Sequence, residues 1–153
     1  MAWRTSIIRD SEILLRRIPP VDQDPDESLP PPSFTFRPTD KDTDGLSLWR
    51  ARYVPVIDVA KSPRRPGRIH RVAAIVAKEL RERGMDLVVD PKDYKHILIS
   101  NLNPQNRENP RQREWRVAMA TELAVVHKPK HDGIIKHFAN RMACLVRRAF
   151  PWT

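Results

Sequence analysis

Asp40-Lys41-Asp42-Thr43-Asp44-Gly45 places three carboxylates on alternate residues ahead of a glycine, the first half of a calcium-binding loop. The twelfth position of such a loop needs a bidentate glutamate, and here it is Ala51. The residues after Gly45 also read as a strand and not as the exit helix, so a solvated acidic turn is expected. His127, His131 and His137 lie near Cys144. The spacing of His127 and His131 would put both on one helix face for zinc, but Pro129 stands between them. With one cysteine and no paired ligand motif, no metal site is expected. Asp90, Asp93 and His96 could pair an acid with a base. Between two short apolar runs, capping and turn chemistry is their more ordinary role. There is no G-x-S-x-G, and none of the four glycines precedes a helix in a phosphate-cradling loop, so no nucleotide cofactor is expected.

Two enzyme folds share fragments with the chain. Arg65 and His70 have the arginine–histidine spacing of a family of helical ribonucleases, yet Pro66 and Gly67 interrupt the helix that motif needs. Arg16 and Ser47 resemble the arginine-bearing strand and serine strand of an ADP-ribosyltransferase-like fold, without a convincing third glutamate. That fold remains the remote enzyme alternative.

The arginines are the stronger signal. Arg64, Arg65, Arg68 and Arg71 bracket the expected start of a helix, where free backbone N–H groups would add partial positive charge for an anion. Arg107, Arg111, Arg113 and Arg116 form a second group around Trp115, and Lys128, Lys130, Arg147 and Arg148 a third. The planar guanidinium fork suits phosphate or carboxylate. Aromatic residues make up 7 %, too few to suggest stacking of bases, so nucleic-acid contact would be to the backbone. Arginine is also enriched where proteins meet.

The net charge of +9 is unevenly spread over the 153 residues. Residues 1–44 hold 6 basic and 9 acidic side chains, a net −3, and residues 45–153 hold 22 and 10, a net +12. Such a body attracts polyanions. The acidic cluster Asp22, Asp24, Asp26 and Glu27 would screen it in cis. A 40 % hydrophobic share suffices for one core, and no apolar stretch reaches the length of a membrane span. The N-terminus lacks the apolar run of a secretory signal. A single cysteine excludes an internal disulfide and fits a reducing cytoplasm.

The elements that must position these residues follow from periodicity. Residues 4–18 have a mixed period that fits a short helix or an extended arm, ended by Pro19 and Pro20. Residues 19–33 are proline-rich and acidic, a linker or polyproline II segment. No basic residue closely flanks Pro30-Pro31-Pro32, which argues against an SH3-type ligand. SFTFRP (33–38) reads as extended, 46–54 as the clearest strand, and 55–67 as a loop. Ile69, Val72, Val76 and Leu80 predict a helix over 68–83, stopped by Gly84. Residues 85–89 and 96–101 predict an antiparallel hairpin. Asn109, Pro110 and Gln112 predict the capped start of a helix over 110–127, with Trp115, Met119, Leu123 and Val126 as its stripe. A last helix over 134–149 carries Ile134, Ile135, Phe138, Met142, Leu145 and Val146 inward, and Phe150-Pro151-Trp152 follows as an apolar tail.

SEILLRRIPP (11–20), SFTFRPTDKDTDGLSLWR (33–50), ELRERGMDLVVDP (79–91) and HILIS (96–100) together resemble a group of small bacterial proteins. Their pattern is E-L-L-R-R-(I/V)-x-P, then S and F before R-P-T, then D-x-x-x-L-S-V, an L-R-x-x-G helix end and a D-P-x-x-x-x-x-H turn. The resemblance covers residues 11–100, implies no activity, and leaves the last 50 residues outside it.

The expected architecture is α+β. A small sheet of three strands, or four, mostly antiparallel, would be covered by about three helices. Residues 1–32 would form an N-terminal arm and linker, and residues 33–153 a single domain with two C-terminal basic helices. The expected function is that of a non-enzymatic accessory subunit or adaptor in a bacterial complex. Its basic face would take a protein or nucleic-acid partner, with no membrane contact and no small-molecule substrate. Direct sequence-independent binding of the phosphate backbone is the alternative.

Overall fold

A computed structural model of the chain describes residues 7–19, 31, 33–106 and 109–129. Eight strands appear among them: β1 (Ile13–Arg17), β2 (Leu46–Arg50), β3 (Lys61–Ser62), β4 (Arg65–Ile69), β5 (Val72–Val76), β6 (Leu87–Val89), β7 (His96–Ile99) and β8 (Val125–His127). Three α-helices accompany them: α1 (Val56–Ala60), α2 (Ala77–Glu82) and α3 (Pro110–Ala118). The expected sheet of three or four strands is therefore corrected. The main sheet has six strands in the order β6-β7-β2-β1-β5-β8, and β3 and β4 pair as a separate two-stranded sheet. Every pairing is antiparallel.

Two of the extra strands, β1 and β5, come from segments whose apolar residues are buried on both faces. In β5, all five residues of VAAIV are buried. Ala73 and Ile75 point into the larger core with Leu14, Phe36, Leu48, Leu80, Ile97 and Met119. Val72, Ala74 and Val76 point to the other face, against Leu15, Val59 and Ala60. Such a run lacks the alternation of a half-buried strand, and beside Ile69 and Leu80 it imitates a helical stripe. The helix expected over 68–83 is thus two strands followed by the short α2. That helix does end at Gly84, whose N–H donates to Arg81 O at 2.9 Å. The mixed period of residues 4–18 has the same cause: β1 lies between β2 and β5, with Leu14 and Leu15 buried on opposite faces.

Other expectations hold or shift locally. The 85–89 and 96–101 segments pair as an antiparallel hairpin, Leu87 opposite Ile99 and Val89 opposite Ile97. Residues 33–36 form a 3-10 turn instead of an extended segment, with Phe36 buried and Phe34 half-exposed. Residues 56–60 of the expected loop form α1, whose Val59 and Ala60 cover the second face of the sheet. Asn109 caps α3 by accepting from Arg111 N at 2.9 Å. Gln112 does not close a capping box, because its Nε2 donates to Asn101 O at 3.0 Å. Trp115, Met119 and Leu123 are buried as their spacing implies. The helix stops at Leu123 after one π-turn, and the β-branched Val125 and Val126 leave it to pair with β5 as an edge strand.

One buried ion pair ties the β2 end of the sheet to the entry of β1. Arg50 is fully buried, and its Nε and Nη2 donate to the two carboxylate oxygens of Glu12, the Nη2 bond being 3.0 Å. Nη2 also donates to Ile7 O at 2.8 Å and Nη1 to Tyr94 O at 3.2 Å, while the guanidinium lies 4.9 Å from the Tyr53 ring centre. The expected helix over 134–149, the tail and most of the acidic linker lie outside the described residues. No helix among the described residues is long and apolar enough to cross a membrane.

Candidate functional site

Eight of the twelve basic residues singled out by spacing are among the described residues, and the fold separates them into two groups. Arg64, Arg65, Arg68 and Arg71 lie on or beside the β3–β4 hairpin. The hairpin replaces the helix start expected there, so its positive charge comes from side chains and not from a helix terminus. Ser62 pairs with Arg65 across a Pro63-Arg64 turn, and Lys61 pairs with Ile69. The register shifts between these pairs, so β4 bulges over Pro66, Gly67 and Arg68. The chain dictates this: Pro66 has no N–H to give the ladder, and Gly67 takes φ +83°. A side chain on Gly67 would meet nothing within 4 Å. Residues 63–68 are all exposed.

The base of the hairpin is held firmly. Arg17, at the end of β1, donates from Nε to Val59 O and from Nη2 to Lys61 O, both at 2.6 Å. Its guanidinium also lies 5.4 Å from the Trp49 ring centre. His70 N donates to Ala60 O and Ile18 N to Arg71 O, each at 2.9 Å. Lys128 follows His127, the ladder partner of Val72, and so comes to the same end of the sheet as Arg71. His70 is buried with its Nε2 unpartnered. Burial first, then the charges of Arg17, Arg68 and Arg65, hold its pKa below the usual histidine value, against a hydrogen bond with the Ile18 backbone that raises it. The ring is therefore neutral behind a cationic surface. Between Asp58 and Glu79 the chain carries six lysines and arginines and no carboxylate. Spacing alone does not single out Lys61 or Arg17, although K-S-P-R-R-P-G, a basic run among chain breakers, already marks an exposed basic loop.

Arg111, Arg113 and Arg116 lie on α3, over the larger core. Arg111 stacks 5.0 Å above Trp115, whose Nε1 donates to Arg83 O at 3.0 Å. Arg111 and Arg113 line a groove of about 650 Å³ with Arg83, Trp115, Val117 and Glu122. Its charge is largely balanced: Arg83 binds Glu122 at 2.6 Å, and Glu114 also lines it. Arg107, Lys130, Arg147 and Arg148 lie outside the described residues.

The other constellations resolve into structural roles. Asp42 accepts from Thr39 N at 2.7 Å and Thr39 Oγ1 at 2.9 Å, closing the acidic turn on itself. No cluster of three metal-ligating side chains occurs among the described residues; His131, His137 and Cys144 are outside them. Asp90 accepts from Lys92 N at 2.8 Å and Asp93 from Lys95 N at 3.0 Å, so both serve the β6–β7 turn. His96 packs edge-on against Trp49 at 5.3 Å. Arg65 and His70 sit on a strand and the residue after it, not on the helix a ribonuclease motif needs. Arg16 donates to Ser47 O at 2.7 Å and Thr35 O at 3.1 Å, both backbone carbonyls, so it braces β2 and the 3-10 turn. Burial holds its pKa below the usual arginine value, with Asp42 raising it and Arg17 lowering it further.

The strongest arrangement is thus a rigidly based, carboxylate-free hairpin that presents Lys61, Arg64, Arg65 and Arg68 to solvent. Compared with protein-family profiles, curated proteins and solved structures, the chain matches none.

Proposed function

We propose that this chain is a non-enzymatic accessory protein of a reducing, cytoplasmic compartment that binds nucleic acid through its phosphate backbone, using the β3–β4 hairpin. One observation carries this reading: Arg64, Arg65 and Arg68 are exposed together on a hairpin with no carboxylate near them in sequence. Guanidinium forks match phosphate oxygens in geometry and charge. Surface cations on a folded domain are commonly interspersed with carboxylates, as the α3 groove illustrates; the segment between Asp58 and Glu79 carries none. An adaptor in a larger complex would use such a face to hold the nucleic acid while other surfaces meet its protein partners.

The test is fluorescence anisotropy with labelled duplex DNA, single-stranded DNA and RNA as salt is raised. If Lys61, Arg64, Arg65 and Arg68 each neutralise one phosphate, log K against log salt has a slope of about −3.6 for duplex DNA, or about a hundredfold loss between roughly 50 and 200 mM. Arg64→Glu/Arg65→Glu/Arg68→Glu should abolish binding without unfolding the chain, because all three side chains are exposed. Absence of binding at low salt would overturn the proposal.

A further inference from the structure

Among the described residues, β6 has β7 on one side and no strand on the other. Asp90 N donates to His96 O at 3.0 Å and Ser100 N to Asp86 O at 2.9 Å. With Val88 opposite Leu98, these bonds make residues 86, 88 and 90 the ones that face β7 with their backbone groups. Leu87 and Val89 therefore turn their N–H and C=O groups away from the sheet. The edge at β8 differs, because Val126, His127 and Lys128 have further contacts there. We propose that the β6 edge takes an extended basic segment of a partner protein as an additional antiparallel strand.

The side chains say what such a strand must carry. The edge reads Asp86-Leu87-Val88-Val89-Asp90. Leu87 and Val89 pack against the larger core, while Val88, 48 % exposed, lies on the other face of the sheet opposite the half-buried Leu98. Alternation places Asp86 and Asp90 on the face of Val88. An incoming strand would set an apolar residue against Val88 and a lysine or arginine against each aspartate. Asp90 accepts from Lys92 N at 2.8 Å, a backbone donor that leaves its charge in place. A second copy of β6 paired about Val88 would bring Asp86 against Asp90 of that copy twice, so like charges oppose self-pairing. The same carboxylates repel phosphate. This edge is separate from the basic hairpin, which leads into β5 on the far side of β1 and β2. The proposal therefore stands whether or not the hairpin binds nucleic acid.

The experiment titrates the full chain, isotope-labelled for NMR, with the blocked peptide acetyl-Lys-Val-Ile-Val-Lys-amide up to millimolar concentration. The amide signals of Leu87 and Val89 should shift as their N–H groups gain acceptors. N-methylation of the second and fourth peptide residues, which would bond to the edge, should weaken binding at least about tenfold. N-methylation of the third, whose N–H points away, should change it by less than about twofold. Acetyl-Glu-Val-Ile-Val-Glu-amide should bind about fivefold more weakly, although the net charge of +9 attracts acidic peptides in general. Asp86→Asn/Asp90→Asn, which keeps the acceptor for Lys92 N, should erase that preference. Val89→Pro removes one outward N–H and should weaken binding while the β7 ladder stays intact. No shift at Leu87 and Val89, equal binding of the peptide methylated at its second and fourth residues, or a preference for the acidic peptide would overturn the proposal. A dimer that Val89→Pro abolishes would also overturn it, by making a second copy the occupant of the edge.

Discussion

Arg50→Met breaks the buried ion pair with Glu12. The substitution keeps most of the side chain's length and removes five-donor chemistry from a position with no solvent exposure. Glu12 would keep, on its carboxylate, a long 3.4 Å bond from Arg9 N. Ile7 O and Tyr94 O would lose their guanidinium donors, and being partly buried they regain water only in part. Removing one partner of a buried pair costs about 3–5 kcal/mol, against a total of about 5–15 kcal/mol for an ordinary domain. Urea unfolding followed by tryptophan fluorescence is a suitable assay, because Trp49 and Trp115 report on opposite faces of the sheet. With a slope of about 2 kcal/mol/M, the midpoint should fall by about 2 M. Glu12→Leu should cost a similar amount, and Glu12→Leu/Arg50→Met clearly less than the sum, since no charge is then left unpaired. Losses under about 1 kcal/mol in both single variants, or strictly additive ones, would refute the idea that this pair holds the β1 entry to the sheet.

Further outcomes follow from local geometry. Gly45→Ala should destabilise the fold by more than about 2 kcal/mol, because φ is +126° and the added Cβ would lie 2.5 Å from Ile99 O, a backbone atom; a midpoint shift in urea measures it. The pH dependence of stability should carry the mark of His70. Its folded pKa is depressed, so the neutral form is favoured in the fold, and stability is lost as pH falls below the unfolded value of about 6.5 toward the folded one. Melting temperatures of wild type and His70→Gln between about pH 7.5 and 5.5 should converge as the pH falls; parallel curves would exclude this role for His70.

Legibility of the fold in the sequence tracks how many faces of a strand are covered. The β6–β7 hairpin is legible because Ile97 and Ile99 are buried while His96 and Leu98 are less so, and because Asp90-Pro91 marks the turn. β1 and β5 are not, since burial on both faces removes the period that pattern reading depends on. The Asn109 cap is legible because it is local, whereas the Glu12–Arg50 pair spans 38 residues and has no local signature. The hairpin arginines stand out by composition. Their setting does not, because a helix start and a two-stranded turn both tolerate the same prolines and glycine.

The strand order also governs when the fold can form. β1, drawn from residues 13–17, sits between β2 and β5, and β5 in turn holds β8. Without β1 the sheet is two unconnected fragments, β6-β7-β2 and β5-β8. A ribosome that has released the first strand must therefore deliver about 60 further residues before that strand has both neighbours, and 50 more before the β8 edge closes. Contacts so distant along the chain place folding in the millisecond-to-second range of β-rich domains. Until then β1 exposes two apolar faces, which a chaperone bound to this stretch of nascent chain would shield.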